Sequence, residues 1–195
     1  MSYVTNTFDD KVVKLLESGS IGFMPSDTIY GLSCLALNNK AVERIHKLKD
    51  RGSDKPFIVL ISEPEQLVSL GVDIDQTKVM GRYWPGKISL ECRAPKAPSW
   101  LHRGMHHFAV RVPDYPELLK LIKETGPIIS TSANLQGLKP IESVSEAKKL
   151  FGNQLDFYVD TGDLRDQEPS TIVVLEDGQL KVDRPGAVKI DTEGK

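Results

Sequence analysis

Lys49, Arg51 and Lys55 stand close together in the stretch 47-KLKDRGSDKPFIVLI-61, which opens as the tail of a helix and ends in an apolar run that reads as a buried strand. One guanidinium fork and two ammonium groups suit a chain of phosphates. Two core-forming elements on either side would hold these charges convergent, which a loop serving only solubility does not require. The competing reading makes them solvated helix-end cations favoured by the helix dipole.

Polar residues also collect in four short islands, 26-SDT-28, Arg111, 131-TSAN-134 and 170-ST-171, each read at the end of an apolar strand, with Arg184 directly after the last strand as a fifth. Hydroxyls and amides donate to a carboxylate or phosphate and accept from an amine or a base edge. Strand ends are also where open α/β sheets place ligands. Taken singly, such residues serve turns or caps, and Ser62 and Ser143 are read that way. Taken together with the cations they form a candidate site. Asp27 is the only acid read inside it, and two roles stay open: orienting a lysine or water, or forming an Asx corner. His102, His106 and His107 show no compact metal-ligand spacing and Cys92 is remote in sequence, so no protein metal site is expected.

The elements that must position these groups alternate. Thr7 with Asp10 resembles a capping box before a helix carrying Phe8, Val12, Leu15 and Leu16, followed by a strand at 20–24 and another beginning near Tyr30. Asn38 caps a helix with Ala41, Val42, Ile45 and Leu48 facing inward. Ser62 with Glu65 reads as a second capping box, and a further helix spans about 75–84. Trp84-Pro85-Gly86 turns the chain into strand 87–93, and 94–107 is a loop with at most one helical turn. Strand 108–112 leads to a helix capped by Asp114, strand 127–130 to a helix starting at Ser143 with Glu146, and strand 155–159 to a hairpin of 171–175 and 179–183. Helices and strands alternate early and strands pair late, so the expected fold is α/β with a mixed sheet.

The chain has 195 residues, 39% hydrophobic and 27% charged, enough for one sizeable core. Cys34 and Cys92 both lie in apolar stretches and are expected to be reduced core residues of a cytoplasmic protein. No stretch approaches the roughly 18 residues of a membrane span, and the first residues lack a signal-peptide pattern. A net charge of −2 argues against a protein that coats nucleic acid, yet between Gln76 and Arg111 seven Lys/Arg face one acid, Glu91, whereas from Glu142 to Lys195 twelve acids outnumber seven bases. That asymmetry predicts a positively charged groove built from the middle of the chain.

In order, 25-PSDTIYGL-32, 49-KDRGSDKP-56, 84-WPG-86, 109-AVRVPD-114, 130-STSAN-134, 170-STIV-173 and 184-RPGA-187 resemble the YrdC-like threonylcarbamoyl-AMP synthase family in its single-domain form. The resemblance covers a domain at 8–189, leaving 190–195 as a frayed polar tail. It implies a twisted mixed parallel/antiparallel sheet flanked by helices, with a positively charged groove. It further implies a nucleotidyltransferase that joins L-threonine, bicarbonate and ATP into threonylcarbamoyl-AMP with release of pyrophosphate, for threonylcarbamoyladenosine modification of tRNA. Mg2+ would enter with ATP as substrate, and tRNA or a transferase complex would be the downstream acceptor. By resemblance, Lys49, Arg51 and Lys55 are catalytic; Arg51, Lys55, His107, Asn134 and Arg184 bind ATP; Thr28, Arg111, Ser132 and Ser170 bind L-threonine, with Arg111 on its carboxylate.

Three positions depart from the family pattern. Ser26 and Asp27 replace the usual Thr and Glu, Leu60 stands where some members carry a histidine near threonine, and Lys87 and Ser89 follow Trp-Pro-Gly in place of a Pro and a Thr-rich strand. Two other readings stay open. The same groove in a nucleic-acid-binding module would use Tyr83, Trp84 and Trp100 as stacking surfaces. A protein of the same fold without synthase activity would bind the nucleotide or hydrolyse the adenylate.

Overall fold

The computed structural model describes residues 1–49, 56–134 and 139–190, so the readings placed on Arg51 and Lys55 lie outside the described residues. Ten strands form a single sheet: β1 (Tyr3–Thr5), β2 (Gly22–Met24), β3 (Gly31–Leu35), β4 (Ile58–Leu60), β5 (Ile88–Arg93), β6 (His107–Arg111), β7 (Ile128–Ser132), β8 (Phe157–Val159), β9 (Thr171–Glu176) and β10 (Gln179–Arg184). Their spatial order is β1-β8-β2-β3-β7-β4-β6-β5-β9-β10. The β1/β8, β2/β8, β4/β6 and β5/β9 pairs are parallel and the other five antiparallel, so the sheet is mixed as expected.

Side chains alternate across a strand, and this sheet uses the two sides differently. On one side Phe57, Val59, Ile61, Leu90, Cys92, Phe108, Val110 and Ile129 pack with α2 (Asn39–Leu48), the short α3 (Ser99–His102) and α5 (Val144–Phe151) into a continuous core. On the other, α1 (Asp10–Glu17) and α4 (Pro116–Thr125) lay Val12, Leu16, Leu118, Leu121 and Ile122 against Leu60, Ile128 and Phe157. That second layer is smaller, and the positions it does not cover in β4, β5, β6 and β7 face a cavity.

Several local expectations are corrected. The cap of α1 is Asp9, whose Oδ1 accepts from the Lys11 and Val12 amides at 3.0 Å, while the Thr7 amide turns back to Thr5 Oγ1. The segment after β4 is a 3-10 helix, Pro64–Leu70, and the Ser62 amide is met by Gln66 Oε1 at 2.8 Å rather than by a Ser62–Glu65 box. The next is also 3-10, Ile74–Met80, with Asp73 at its start. Tyr115, not Asp114, precedes α4, with no side-chain cap bond, and the Asp114 amide is engaged by Asp27 Oδ2 at 3.0 Å. Strand β1 went unread in a polar terminus: it exists through pairing with β8, including a 2.9 Å bond from the Tyr3 amide to the Asp156 carbonyl. The Asn38 and Ser143 caps are as read. Ile190, assigned to the tail, is partly buried against the core.

The 94–107 segment is tied down. Trp100 Nε1 donates to the Ala36 carbonyl at 3.0 Å, Arg103 pairs with Glu43 of α2, and Leu101 and His102 are buried. At the sheet's far side β9 and β10 form the expected hairpin, turning at Asp177 and Gly178, both with positive φ, as a tight hairpin turn requires. Arg184 is the last residue of β10, within the strand rather than after it. Gly186 is required by close approach: a Cβ there would lie 2.3 Å from the Pro169 carbonyl oxygen, next to Ser170.

Candidate functional site

The strand sequences explain the cavity. In β6, His107, Ala109 and Arg111 alternate with buried Phe108 and Val110; in β7, Ser130 and Ser132 alternate with Ile129 and Thr131. Register places Ile58 of β4 opposite Ser130, and Glu91 of β5 opposite Ala109. The result is a cavity of about 400 Å3 lined by Ile58, Leu60, Glu91, His107, Ala109, Arg111, Ser130 and Ser132, closed by Ser26, Thr28 and Tyr30 on one flank and by Ser170, Ile172 and Arg184 on the other. That volume falls in the range of small-molecule sites. The cavity lies on one face of the sheet, and the polar islands read at strand ends reach it from there: Arg111 ends β6, Ser132 ends β7, Arg184 ends β10 and Ser170 precedes β9.

Arg111 is the centre of this face. Its Nη1 donates to Asp27 Oδ1 in an ion pair whose two side chains are each 4% exposed, and Nη2 lies 3.4 Å from Thr28 Oγ1. Asp27 reaches it from the loop after β2, across the three strands that separate β2 from β6 in the sheet. The second Asp27 oxygen accepts the Asp114 amide, so this carboxylate ties the loop to both the end of β6 and the approach to α4. Asp27 thus holds an arginine, a partner that neither of the two readings above had named. Arg111 Nε is buried and has no hydrogen-bond partner among the described residues. A buried donor left unmade costs about 1–3 kcal/mol, so this edge of the guanidinium is suited to an acceptor brought by a ligand.

Around Arg111 the hydroxyls are organised by one another. Thr28 Oγ1 and Ser26 Oγ are 2.9 Å apart, and Ser26 Oγ donates to the Ile29 carbonyl. Ser170 Oγ lies 2.9 Å from Ser89 Oγ, and Arg184 Nη2 donates to the Ser170 carbonyl at 2.7 Å. Although Arg184 is exposed as a residue, partial burial of its head pulls its pKa down, opposed by Asp183 and aided by the like charge of Arg111. Two guanidinium groups near enough to repel each other favour an anion between or beside them.

Thr28, His107, Arg111, Ser132, Ser170 and Arg184, singled out in the sequence, all line this cavity. Lys49 and Asn134 do not. Lys49 follows α2, is 4% exposed, and donates to the Ser132 carbonyl and, at 2.9 Å, to Asn134 Oδ1, which also accepts from Ser132 Oγ at 2.7 Å. It is neither a solvated helix-end cation nor a wall of the cavity; its charge organises the turn after β7, and with it the position of Ser132.

The sequence reading missed Glu91, which makes Asp27 not the only acid of the site. Alternation in 88-ISLECR-93 could have found it, since Glu91 interrupts an otherwise apolar stretch two residues from Ser89. His107 Nδ1 stands 3.2 Å from Glu91 Oε2, off the line needed for a hydrogen bond. His102 and His106 serve their own turn: His102 Nδ1 accepts from the Gly104 amide at 3.0 Å, and the two rings stack at 4.9 Å. Among the described residues no group of three or more His, Cys, Asp or Glu is placed to hold a metal ion, and no helix is long and apolar enough to cross a membrane. The aromatic residues proposed as stacking surfaces are partly buried against the core, with Trp84 Nε1 donating to the Ile88 carbonyl at 2.6 Å and Trp100 anchored at Ala36.

Comparison with known proteins places most of the sheet and its helices in one family. Residues 14–186 match the Sua5/YciO/YrdC family model, which is described as "Telomere recombination". A threonylcarbamoyl-AMP synthase of Pseudoalteromonas translucida is 33% identical over 174 residues, covering 86% of this chain and 93% of that protein. The Bacillus subtilis threonylcarbamoyl-AMP synthase is 36% identical over 181 residues, 89% of this chain but 52% of the longer relative. The crystal structure of P. abyssi Sua5 complexed with L-threonine superposes with a TM-score of 0.84 at 28% identity, covering 95% of this chain and 58% of that one.

Proposed function

The chain belongs to the Sua5/YciO/YrdC family, and from that premise we propose that it is an L-threonylcarbamoyladenylate synthase, a nucleotidyltransferase that converts L-threonine, bicarbonate and ATP into threonylcarbamoyl-AMP, pyrophosphate and water. The observation that carries the proposal is the buried Arg111 guanidinium. Asp27 neutralises one end, Nε has no hydrogen-bond partner among the described residues, and the surrounding wall supplies Thr28, Ser132 and Ser170 hydroxyls. An α-carboxylate on the free edge of the fork, with hydroxyls for the remaining polar groups, uses every one of these features. That a structural relative was crystallised with L-threonine supports threonine as the amino acid.

In this reading the neutral threonine amine attacks bicarbonate, or CO2 in equilibrium with it, to form an N-carboxylate. An oxygen of that carboxylate displaces pyrophosphate from the α-phosphorus of ATP. No enzyme nucleophile is needed, and the protein contributes alignment and charge stabilisation. Arg111 and Thr28 hold the amino acid, with Ser170 set by Ser89 and Arg184. Lys49, through the Ser132 carbonyl and Asn134, fixes Ser132 beside the amino acid, and Asn134 and Arg184 are assigned to the nucleotide. Arg51 and Lys55 are assigned to the phosphates, together with Mg2+, which would enter on the nucleotide, bound chiefly by phosphate oxygens, and offset charge on the departing pyrophosphate. The labile product passes to a transferase acting on tRNA in the cytoplasm. Inward anchoring of both tryptophans weighs against the RNA-groove alternative.

Purified protein supplied with ATP, Mg2+, bicarbonate and L-threonine should release pyrophosphate and yield threonylcarbamoyl-AMP by mass detection. Omission of threonine or of bicarbonate should abolish both signals, because the attacking carboxylate forms only when the two combine. Leu60 lines the cavity and supplies apolar contact for the threonine methyl, so serine should be used less well by roughly 10- to 200-fold. Pyrophosphate release without bicarbonate would reveal a different adenylating enzyme, and nucleotide binding without turnover would favour a same-fold protein lacking synthase activity.

A further inference from the structure

The cavity is charged oppositely at its two ends, and only one end is used by the amino acid. Arg111 closes β6 at one end; His107, four residues earlier on the same face, lies about 13 Å away at the usual strand rise. A threonine fixed at Arg111 does not reach His107, and Glu91, opposite Ala109 in the register, stands between the two with its carboxylate beside the His107 ring. A ligand that spans the cavity must meet them with another group.

The Glu91 carboxylate is unusual for a half-buried acid. It takes part in no hydrogen bond among the described residues, and its one close neighbour is His107 Nδ1, itself enclosed and without a hydrogen-bond partner. Both side chains are 30% exposed. Met105 and Pro56 also line this end and supply apolar surface. Apolar contacts beside one strong acceptor and one imidazole complement a flat heteroaromatic ring with an amine donor next to a ring nitrogen, which is what an adenine edge presents. The arginines at the opposite end favour the α-phosphate, where the proposed reaction occurs.

On the basis of the ATP-dependent function proposed above, we infer that Glu91 accepts the exocyclic amine of the nucleobase while His107 contacts the neighbouring ring nitrogen, so that this pair determines base recognition. Glu91 is a specificity residue, separate from the groups that bind threonine.

The test couples one ligand atom group to one side chain. Calorimetric titration of the full chain with Mg2+-bound ATP and with purine riboside 5′-triphosphate, which lacks only the amine, should show about tenfold preference for ATP, the order of one net hydrogen bond. In Glu91→Ala that preference should fall to about onefold, while His107→Gln should weaken both nucleotides and leave the preference in place. Glu91→Gln, nearly the same in shape, guards against misfolding and should lose most of the preference. An unchanged preference in both Glu91 variants overturns the inference and leaves the synthase assignment intact. A loss seen only when Mg2+ is present makes Glu91 a metal ligand and also overturns it. Failure of the unaltered protein to bind either nucleotide removes the proposed function itself.

Discussion

The two faces of the central strands differ by one residue of parity. In β6, Phe108 and Val110 are 1% and 0% exposed in a core closed by three helices, while His107, Ala109 and Arg111 on the opposite face line the cavity. β7 repeats the division with Ile129 against Ser130 and Ser132. The lesson concerns coverage. Both faces have helices, but α1 and α4 cover only the end of the second face that holds Leu60 and Ile128. Where a helix covers the sheet the alternating residues are mostly apolar, and where none does the same parity carries Glu91, His107, Arg111, Ser130 and Ser132 beside small or apolar neighbours such as Ala109 and Ile58.

Parity predicts which property a substitution breaks. Phe108→Ala, on the covered face, should cost about 3–5 kcal/mol in chemical denaturation, because it opens a cavity among packed residues. A cost under 1 kcal/mol would mean the core face is much looser than its burial indicates. On the open face, Arg111→Lys keeps the charge opposite Asp27 but loses the planar fork. It should lower kcat/KM for threonine by about a hundredfold, equivalent to about 2.7 kcal/mol, while KM for ATP changes little and the fold survives. An equal rise in both KM values would place Arg111 in general pocket integrity and not on the amino acid.

The smallest expected effect sharpens the same contrast. Cys34 and Cys92 both belong to the covered face, where burial pushes both thiols up from the ordinary 9.0, Cys92 to about 12. At neutral pH they should react with a thiol reagent only as fast as the protein unfolds, so the labelling rate of native protein should be near zero and rise in step with denaturation. The sign of the pH dependence follows. The folded chain keeps thiol protons that an unfolded chain releases above about pH 9, so stability should fall as pH rises from that value toward 12. Prompt labelling of native protein would show that the covered face opens locally.

Much of the candidate site was legible because ligand-binding groups are polar residues set within apolar stretches. Thr28, Arg111, Ser132, Ser170 and Arg184 were named that way, His107 came only from the family resemblance, and all six reach one cavity. Glu91 was passed over as the lone acid in a basic region, although its place two residues after Ser89 puts both on one side of β5. Lys49 shows what local sequence leaves out. A cation in a basic cluster looks like a phosphate ligand, and nothing local reveals that its ammonium is bound by Ser132 and Asn134, over eighty residues away. Caps failed similarly at Asp114, whose amide is taken by Asp27.

The sequence by itself determined the parity of each strand, the helices that begin at Asn38 and Ser143, the late hairpin, and the set of polar residues from which a site could be made, because these depend on side-chain period and on bonds between near neighbours. Only tertiary structure decided which side of the sheet remained open, that β1 would be a strand at all, and that Asp27 would cross three strands to hold Arg111. Those outcomes depend on the order in which strands pair and on how far two helices extend over a face. They join groups whose separation along the chain carries no local signal, and their free energy exists only once the sheet has assembled.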